Sequence, residues 1–155
     1  MKLDAIDFKI LKYLQKDAKT TVKEMAHLLS LTPTPVYERI KKLERHKVIK
    51  KYVALIDPMA VNRSVLVVVN ISMSNHSKET REQFIRSISK FPEIMEILNT
   101  AGTYDYITKG RFSGIHHYKD FLVNKLSNLK GIKDIDSHIV LEEIKSSSRI
   151  VTDQI

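Results

Sequence analysis

Residues 32–52 read TPTPVYERIKKLERHKVIKKY, and the two prolines at the head of this stretch decide how it is folded. Proline inside a helix removes a backbone donor and clashes with the preceding turn, at a cost of about 3 kcal/mol. In the first helical turn those donors have no partner to lose, so Pro33 and Pro35 mark a helix start with Thr32 as its N-cap. From there Val36, Ile40 and Leu43 recur at i, i+4 and i+7 and define a buried stripe. At about 100° per residue, Thr34, Glu38, Lys41, Lys42 and Arg45 face the other way, and Tyr37 falls at the edge of the stripe.

Upstream, two more capped helices are legible. Asp4 with Asp7 three residues on makes an N-cap signal ahead of Ile6, Ile10, Leu11 and Leu14, with Leu3 before it. Thr21 with Glu24 makes a capping box ahead of Val22, Met25, Leu28 and Leu29. Three short helices with a tight turn between the second and third are the layout of a helix-turn-helix. The next segment, VIKKYVALID, is rich in β-branched and aromatic residues and reads as one or two short strands, a wing beside the helices. Asp57-Pro58 then opens a linker.

Charge follows the same division. Of 26 Lys+Arg and 18 Asp+Glu, residues 1–57 hold 13 and 7, leaving 13 and 11 for the remainder, so a net +6 of the total +8 sits in the N-terminal third. Seven of those cations fall between Arg39 and Lys51. A positive field concentrated on one small domain attracts a polyanion. With no cysteine in the chain, disulfides, thiolate nucleophiles and cysteine-ligated metals are excluded. The start, MKLDAIDFKIL, lacks the apolar core of a secretory signal, and the longest apolar run, Val65 to Val69, is far short of the roughly 20 residues of a membrane-spanning helix. The expected compartment is the cytoplasm, with no membrane partner.

The second half reads as strand, helix, two strands, helix, strand: VLVVVNISM (65–73), an amphipathic helix in NHSKETREQFIRSISKF burying Phe84, Ile85, Ile88 and Phe91, then IMEILNTA and YDYITKGRF. Gly102 between these strands is expected to supply the positive φ of a tight hairpin. A helix from about Ser113 follows, with Ile115, Leu122, Leu126 and Leu129 in phase and Gly131 just past its end, and the last strand is IKDIDSHIVLEEI. The fold class is α+β: an N-terminal winged helix-turn-helix (1–52), a linker (53–63), a ferredoxin-like βαββαβ domain (64–145) and a tail (146–155), either disordered or docked on a neighbour.

LDAIDFKIL, LLSLTPTPVYERIKKLE, VIKKYVALIDP and TAGTYDYI occur in that order across the two domains, and together they resemble the Lrp/AsnC family of transcription regulators over essentially the whole chain. The family often carries glycine in the helix-turn-helix turn and before the VI segment, where this chain has Ser30 and Lys47. The resemblance implies that the third helix enters the major groove of double-stranded DNA. Expected base contacts are Thr34, Pro35, Glu38 and Arg39, and expected phosphate contacts are Lys41, Lys42, Arg45, Lys47, Lys50 and Lys51. It further implies an effector pocket near a protomer interface, with Gly102 and Asp105 holding an amino acid and Thr100, Thr103 and Tyr104 lining it. From spacing alone, Gly102 is a hairpin turn and Asp105 a solvated strand residue. No cofactor is expected beyond that possible amino-acid effector.

An antiparallel sheet with helices on one face leaves the other open, and these strands are too apolar for both faces to be wet. The resemblance supplies the cover: sheet domains pair into homodimers that assemble to tetramers or octamers, and the DNA site is a pseudo-palindrome. Two other classes compete with this reading. A small ferredoxin-like enzyme, or a ligand-binding module with an accessory basic domain, is compatible with the fold. The six histidines, however, show no metal spacing, and no Walker loop, GxSxG elbow or apolar carboxylate pair is present, so no catalytic or metal residues are assigned. An RNA-recognition module needs aromatics on its central strands, and LVVVNISM has none.

Overall fold

The computed structural model describes residues 1–152, so the last three residues of the expected tail lie outside the described residues. The described chain forms two compact units, one of residues 1–55 with 145–152, the other spanning Ile56–Ile144.

In the first unit, α1 (Ala5–Lys16), α2 (Val22–Leu29) and α3 (Pro33–Arg45) pack around Ile10, Met25, Ala26, Val36, Ile40 and Leu43. Both predicted caps are reciprocal. Asp4 Oδ1 accepts from the Asp7 N–H at 2.9 Å while Asp7 Oδ2 accepts from the Asp4 N–H at 3.1 Å, and Thr21 and Glu24 repeat the arrangement on α2. Thr32 takes the N-cap position of α3 without a side-chain hydrogen bond, and Pro33 occupies the first helical position. The wing strands do not form. The chain from Lys50 to Leu55 runs without secondary structure, leaving Val53 and Leu55 exposed, because among the described residues no second strand in this unit offers its backbone. From the C-terminal segment, Ile150 exchanges two hydrogen bonds with the Gln15 side chain on α1, at 2.7 and 3.1 Å.

The second unit is a four-stranded antiparallel sheet ordered β2-β3-β1-β4, built from β1 (Val65–Met73), β2 (Ile94–Asn99), β3 (Tyr106–Phe112) and β4 (Ile132–Ile139). Its helices are α4 (Lys78–Ile88) and α5 (Ile115–Phe121). Strict alternation places Val67, Val69, Ile71 and Met73 of β1 in the core with Phe84, Ile88, Tyr106, Phe112, Tyr118, Phe121 and Leu126. Leu66, Val68, Asn70 and Ser72 take the opposite face.

Two predicted helix faces are corrected. Ile85 of α4 is 42% exposed rather than buried. After α5 the helix widens into a π turn, Leu122–Leu126, closed by the Ser127 N–H on the Leu122 carbonyl at 2.9 Å. That widening brings Phe121 and Leu126, five residues apart, to the core together and leaves Ile115 half exposed, so an unbroken 3.6 period selects the wrong residues. From the π turn, Lys125 Nζ reaches the buried Glu93 carboxylate at 2.6 Å. Among the described residues no helix is long and apolar enough to cross a membrane.

Candidate nucleic-acid interface and effector loop

α3 carries its expected basic residues on one exposed surface. Thr34, Glu38, Lys41, Lys42 and Arg45 lie on its outer side, with Lys47, Lys50 and Lys51 exposed beyond the helix and Pro35 half-buried at its tip. Tyr37, read as the edge of the stripe, stands 52% exposed with the Lys41 ammonium 5.7 Å from its ring centroid. Lys41 also pairs with Glu44 at 2.8 Å, and the Tyr52 hydroxyl donates to the other Glu44 oxygen at 3.0 Å, tying the segment after α3 back onto the helix. The hydrogen bond and charge of Glu44 raise the Lys41 pKa and keep this ammonium protonated.

Arg39, expected at the bases, is half-buried and ion-paired within the unit. Its Nη1 stands 2.6 Å from Asp4 Oδ2 and 2.7 Å from Asp7 Oδ1, joining α3 to the capping box of α1. The Asp7 side chain is 3% exposed, so this cation neutralises a buried carboxylate and is engaged inside the unit. The Asp7 N–H first and the Arg39 guanidinium second hold the Asp4 carboxyl below the ordinary carboxylate range, and the same pairing raises the Arg39 pKa.

Two residues bracketing α3 have left-handed backbones: Ser30 at φ 55° in the turn before it and Lys47 at φ 57° after it. Both positions favour glycine on conformational grounds. They are the positions at which the resemblance led glycine to be expected. Lys47 caps the helix through its N–H on the Glu44 carbonyl at 2.9 Å, and Ser30 ends α2 through the Ala26 and His27 carbonyls.

The loop between β2 and β3 holds the expected effector residues in a tied arrangement. Thr100 Oγ1 donates to the Tyr104 carbonyl at 2.6 Å, and the Thr100 N–H and the Asn99 amide both donate to the Asp105 carbonyl at 2.9 Å. The Asp105 carboxylate is not a solvated strand group. Its Oδ2 accepts from the Met73 N–H at 2.7 Å at the end of β1, and its Oδ1 lies 3.3 Å from His76 Nδ1. The Tyr104 hydroxyl donates to Asp136 Oδ2 at 3.0 Å; chiefly through this bond, the Asp136 pKa falls and the Tyr104 pKa rises. Asp136 also meets His138 at 3.0 Å, and His138 contacts Asn70 at 3.2 Å. Sequence reasoning missed Asn70, Asp136 and His138 as neighbours of this loop, because strand register rather than spacing brings them there, and it missed His76, which stands three residues past the end of β1.

Gly102 does not supply a positive φ: among the described glycines only Gly131 does, at 87°. The connection from Asn99 to Tyr106 is a wide loop rather than a two-residue turn, and a Cβ added at Gly102 would meet open space. Gly102 and Thr103 form its exposed crest. No cluster of three or more His, Cys, Asp or Glu arranged to hold a metal occurs among the described residues.

Comparison with known proteins yields two family matches: the AsnC-type helix-turn-helix domain over residues 3–44 and the Lrp/AsnC ligand binding domain over residues 66–150. The leucine-responsive regulatory proteins of Salmonella typhimurium and Escherichia coli are each 37% identical over 149 residues, 96% of this chain and 91% of theirs. Among solved structures, a transcriptional regulator from Neisseria meningitidis in complex with L-Met superposes with a TM-score of 0.92 at 31% identity over 97% of both chains. An AsnC family transcriptional regulator from Agrobacterium tumefaciens gives 0.92 at 34% identity over 96% of this chain and 97% of its own.

Proposed function

The chain belongs to the Lrp/AsnC family of transcriptional regulators, and on that premise we propose how it reads DNA and answers to a small molecule. It is a DNA-binding regulator whose helix α3 enters the major groove tip first. Thr34, Pro35 and Glu38 meet base edges, Glu38 accepting from a cytosine amino group and Pro35 touching a thymine methyl. Lys41, Lys42, Arg45, Lys47, Lys50 and Lys51 hold phosphates. Arg39 acts indirectly, fixing the angle of α3 against α1. The observation that carries this reading is the basic outer surface of α3 and the segment after it, set beside an exposed Thr34 and Glu38.

The effector is an amino acid held at the β2–β3 loop. Its carboxylate meets backbone amides near Gly102, where open space above the glycine supports close approach, and its ammonium meets Asp105 Oδ1 from the His76 side. The relative from Neisseria meningitidis was solved with L-Met, which supports an amino acid as the ligand class. The half-buried Leu66, Val68 and Ile107 with the exposed Leu98 make an apolar strip on the helix-free face, which supports sheet-to-sheet pairing into a homodimer and onward to tetramer or octamer. A dimer presents two copies of α3 to a pseudo-palindromic site in the cytoplasm, and the effector shifts the assembly between arrangements of different DNA affinity.

The test is light scattering with and without each of the twenty amino acids, each sample then titrated onto promoter DNA at two salt concentrations. A salt-sensitive affinity that responds to one amino acid, together with loss of that response in Asp105→Asn, is the expected result. DNA binding indifferent to every amino acid removes the effector reading and keeps the reader helix; absence of DNA binding removes both.

A further inference from the structure

Val36, Ile40 and Leu43 turn one side of α3 into the core of its unit, and Thr34, Glu38, Lys41 and Arg45 take the opposite side. Tyr37 falls between the two, on one flank of the helix. At about 100° per residue it lies about 60° around the helix from Thr34 and about 40° from Lys41. A tyrosine at this angle can pack inward against the core, yet this one is 52% exposed.

The same flank carries an anchored cation. Lys41 Nζ lies 5.7 Å from the Tyr37 ring centroid and 2.8 Å from Glu44 Oε2, and Glu44 is tied in turn to the Tyr52 hydroxyl at 3.0 Å. An ammonium at this distance from a tyrosine ring attracts it, so ring and cation sit together. The Tyr37 hydroxyl takes no part in the fold: among the described residues it makes no hydrogen bond. On the other flank, where Pro35 and Arg39 lie, the guanidinium is already occupied by Asp4 and Asp7.

The major groove of B-DNA is about 12 Å wide, and a helix with its side chains is about 10–12 Å across. A recognition helix therefore fills the groove. Residues in the middle of its outer side meet base edges, and those on its flanks meet the phosphate walls. We propose that Tyr37 is a further DNA contact of α3, its hydroxyl donating to a phosphate oxygen on the groove wall next to the phosphate held by Lys41. This rests on α3 entering the major groove. It differs in kind from the lysine contacts, because a hydroxyl neutralises no phosphate and releases no counterion, so its share of the affinity does not fade with salt.

The experiment titrates full-length protein onto a labelled promoter fragment by fluorescence anisotropy at three salt concentrations. Tyr37→Phe should weaken binding roughly tenfold, the loss of one hydrogen bond to a charged acceptor, with the slope of log K against log salt unchanged. The same factor should hold for single-base-pair variants of the fragment, and the melting temperature should stay at the wild-type value. Tyr37→Arg puts a charged donor at the same wall and should steepen the slope by about 0.9. The proposal alone is overturned by a Tyr37→Phe protein that binds as wild type, that melts lower, or whose loss depends on the base pair changed, and by a Tyr37→Arg slope equal to wild type. A wild-type protein that binds no DNA overturns the proposal and the reader helix together.

Discussion

Arg39 stands 2.7 Å from the buried carboxylate of Asp7, so a residue on the reader helix neutralises a charge inside the helix-turn-helix core. Arg39→Ala leaves that carboxylate uncompensated and should destabilise the DNA-binding unit by about 1–3 kcal/mol. Thermal unfolding followed by circular dichroism checks the loss. Arg39→Lys should retain part of the stability and leave base preference unchanged; a shift in preferred sequence would instead put Arg39 at the bases.

The same cluster sets an acid limit. Because the Asp4 carboxyl is held below its ordinary value, its contribution is fully present above the unfolded-state carboxylate range, near pH 4, and is lost as pH falls through the lowered folded value. The DNA-binding unit should therefore lose stability on acidification below about pH 4. Asp4→Asn should flatten that part of the profile, with denaturant midpoints measured from neutral pH down into the acid range as the readout.

Ser30 and Lys47 occupy left-handed backbone at φ 55° and 57°. Replacing either by glycine relieves about 1 kcal/mol of backbone cost, offset in part by the greater freedom of an unfolded glycine. Ser30→Gly should raise the melting temperature with DNA affinity unchanged. Lys47→Gly should raise it and at the same time weaken DNA binding at low salt, because it also takes a cation away from the phosphates.

Glu38 and Lys42 separate reading from holding. Glu38→Ala should change which operator variants bind best, by about 1–3 kcal/mol of discrimination at one base pair. Lys42→Ala should weaken all sequences alike and reduce the slope of log K against log salt by about 0.9, the share of one phosphate that is no longer neutralised. If both variants titrate as wild type at low and at moderate salt, α3 is not the reader.

Gly131 is required twice over. Its φ of +87° is unfavourable for any side chain, and a Cβ there would stand 2.4 Å from Thr80 Cγ2 and 3.0 Å from Met73 Cε. Gly131→Ala should cost about 2–3 kcal/mol in the sheet unit, through strain and displaced packing. Differential scanning calorimetry should show the lower transition in that unit alone.

The elements that sequence makes legible are those whose signals are local. Pro33 and the Asp4/Asp7 and Thr21/Glu24 pairs announce their helices within four residues, and the stripe of Val36, Ile40 and Leu43 needs only the 3.6 period. What escapes depends on distant partners. Arg39 reads as one more cation until α1 folds against it from 32 residues away. Asp105 reads as a surface acid until the fold brings the Met73 N–H at the end of β1, and His76 just beyond it, to its carboxylate. The wing strands rest on β-branched composition alone, and composition does not provide a partner strand. Tyr118 and Phe121 escape a periodic reading of the core because the helix does not keep one period through its length.

The π turn at Leu122–Leu126 bears on how this fold tolerates changes in chain length. A π turn holds one residue more than an α turn while leaving both flanks in phase. Removing the exposed Val123 would bring Phe121 and Leu126 to a spacing of four, which an ordinary helix satisfies, with Tyr118 upstream and Gly131 downstream undisturbed. The segment before β4 therefore contains a reserved slot for a single-residue deletion, at a point where the same deletion in α4 would turn every later side chain by about 100°.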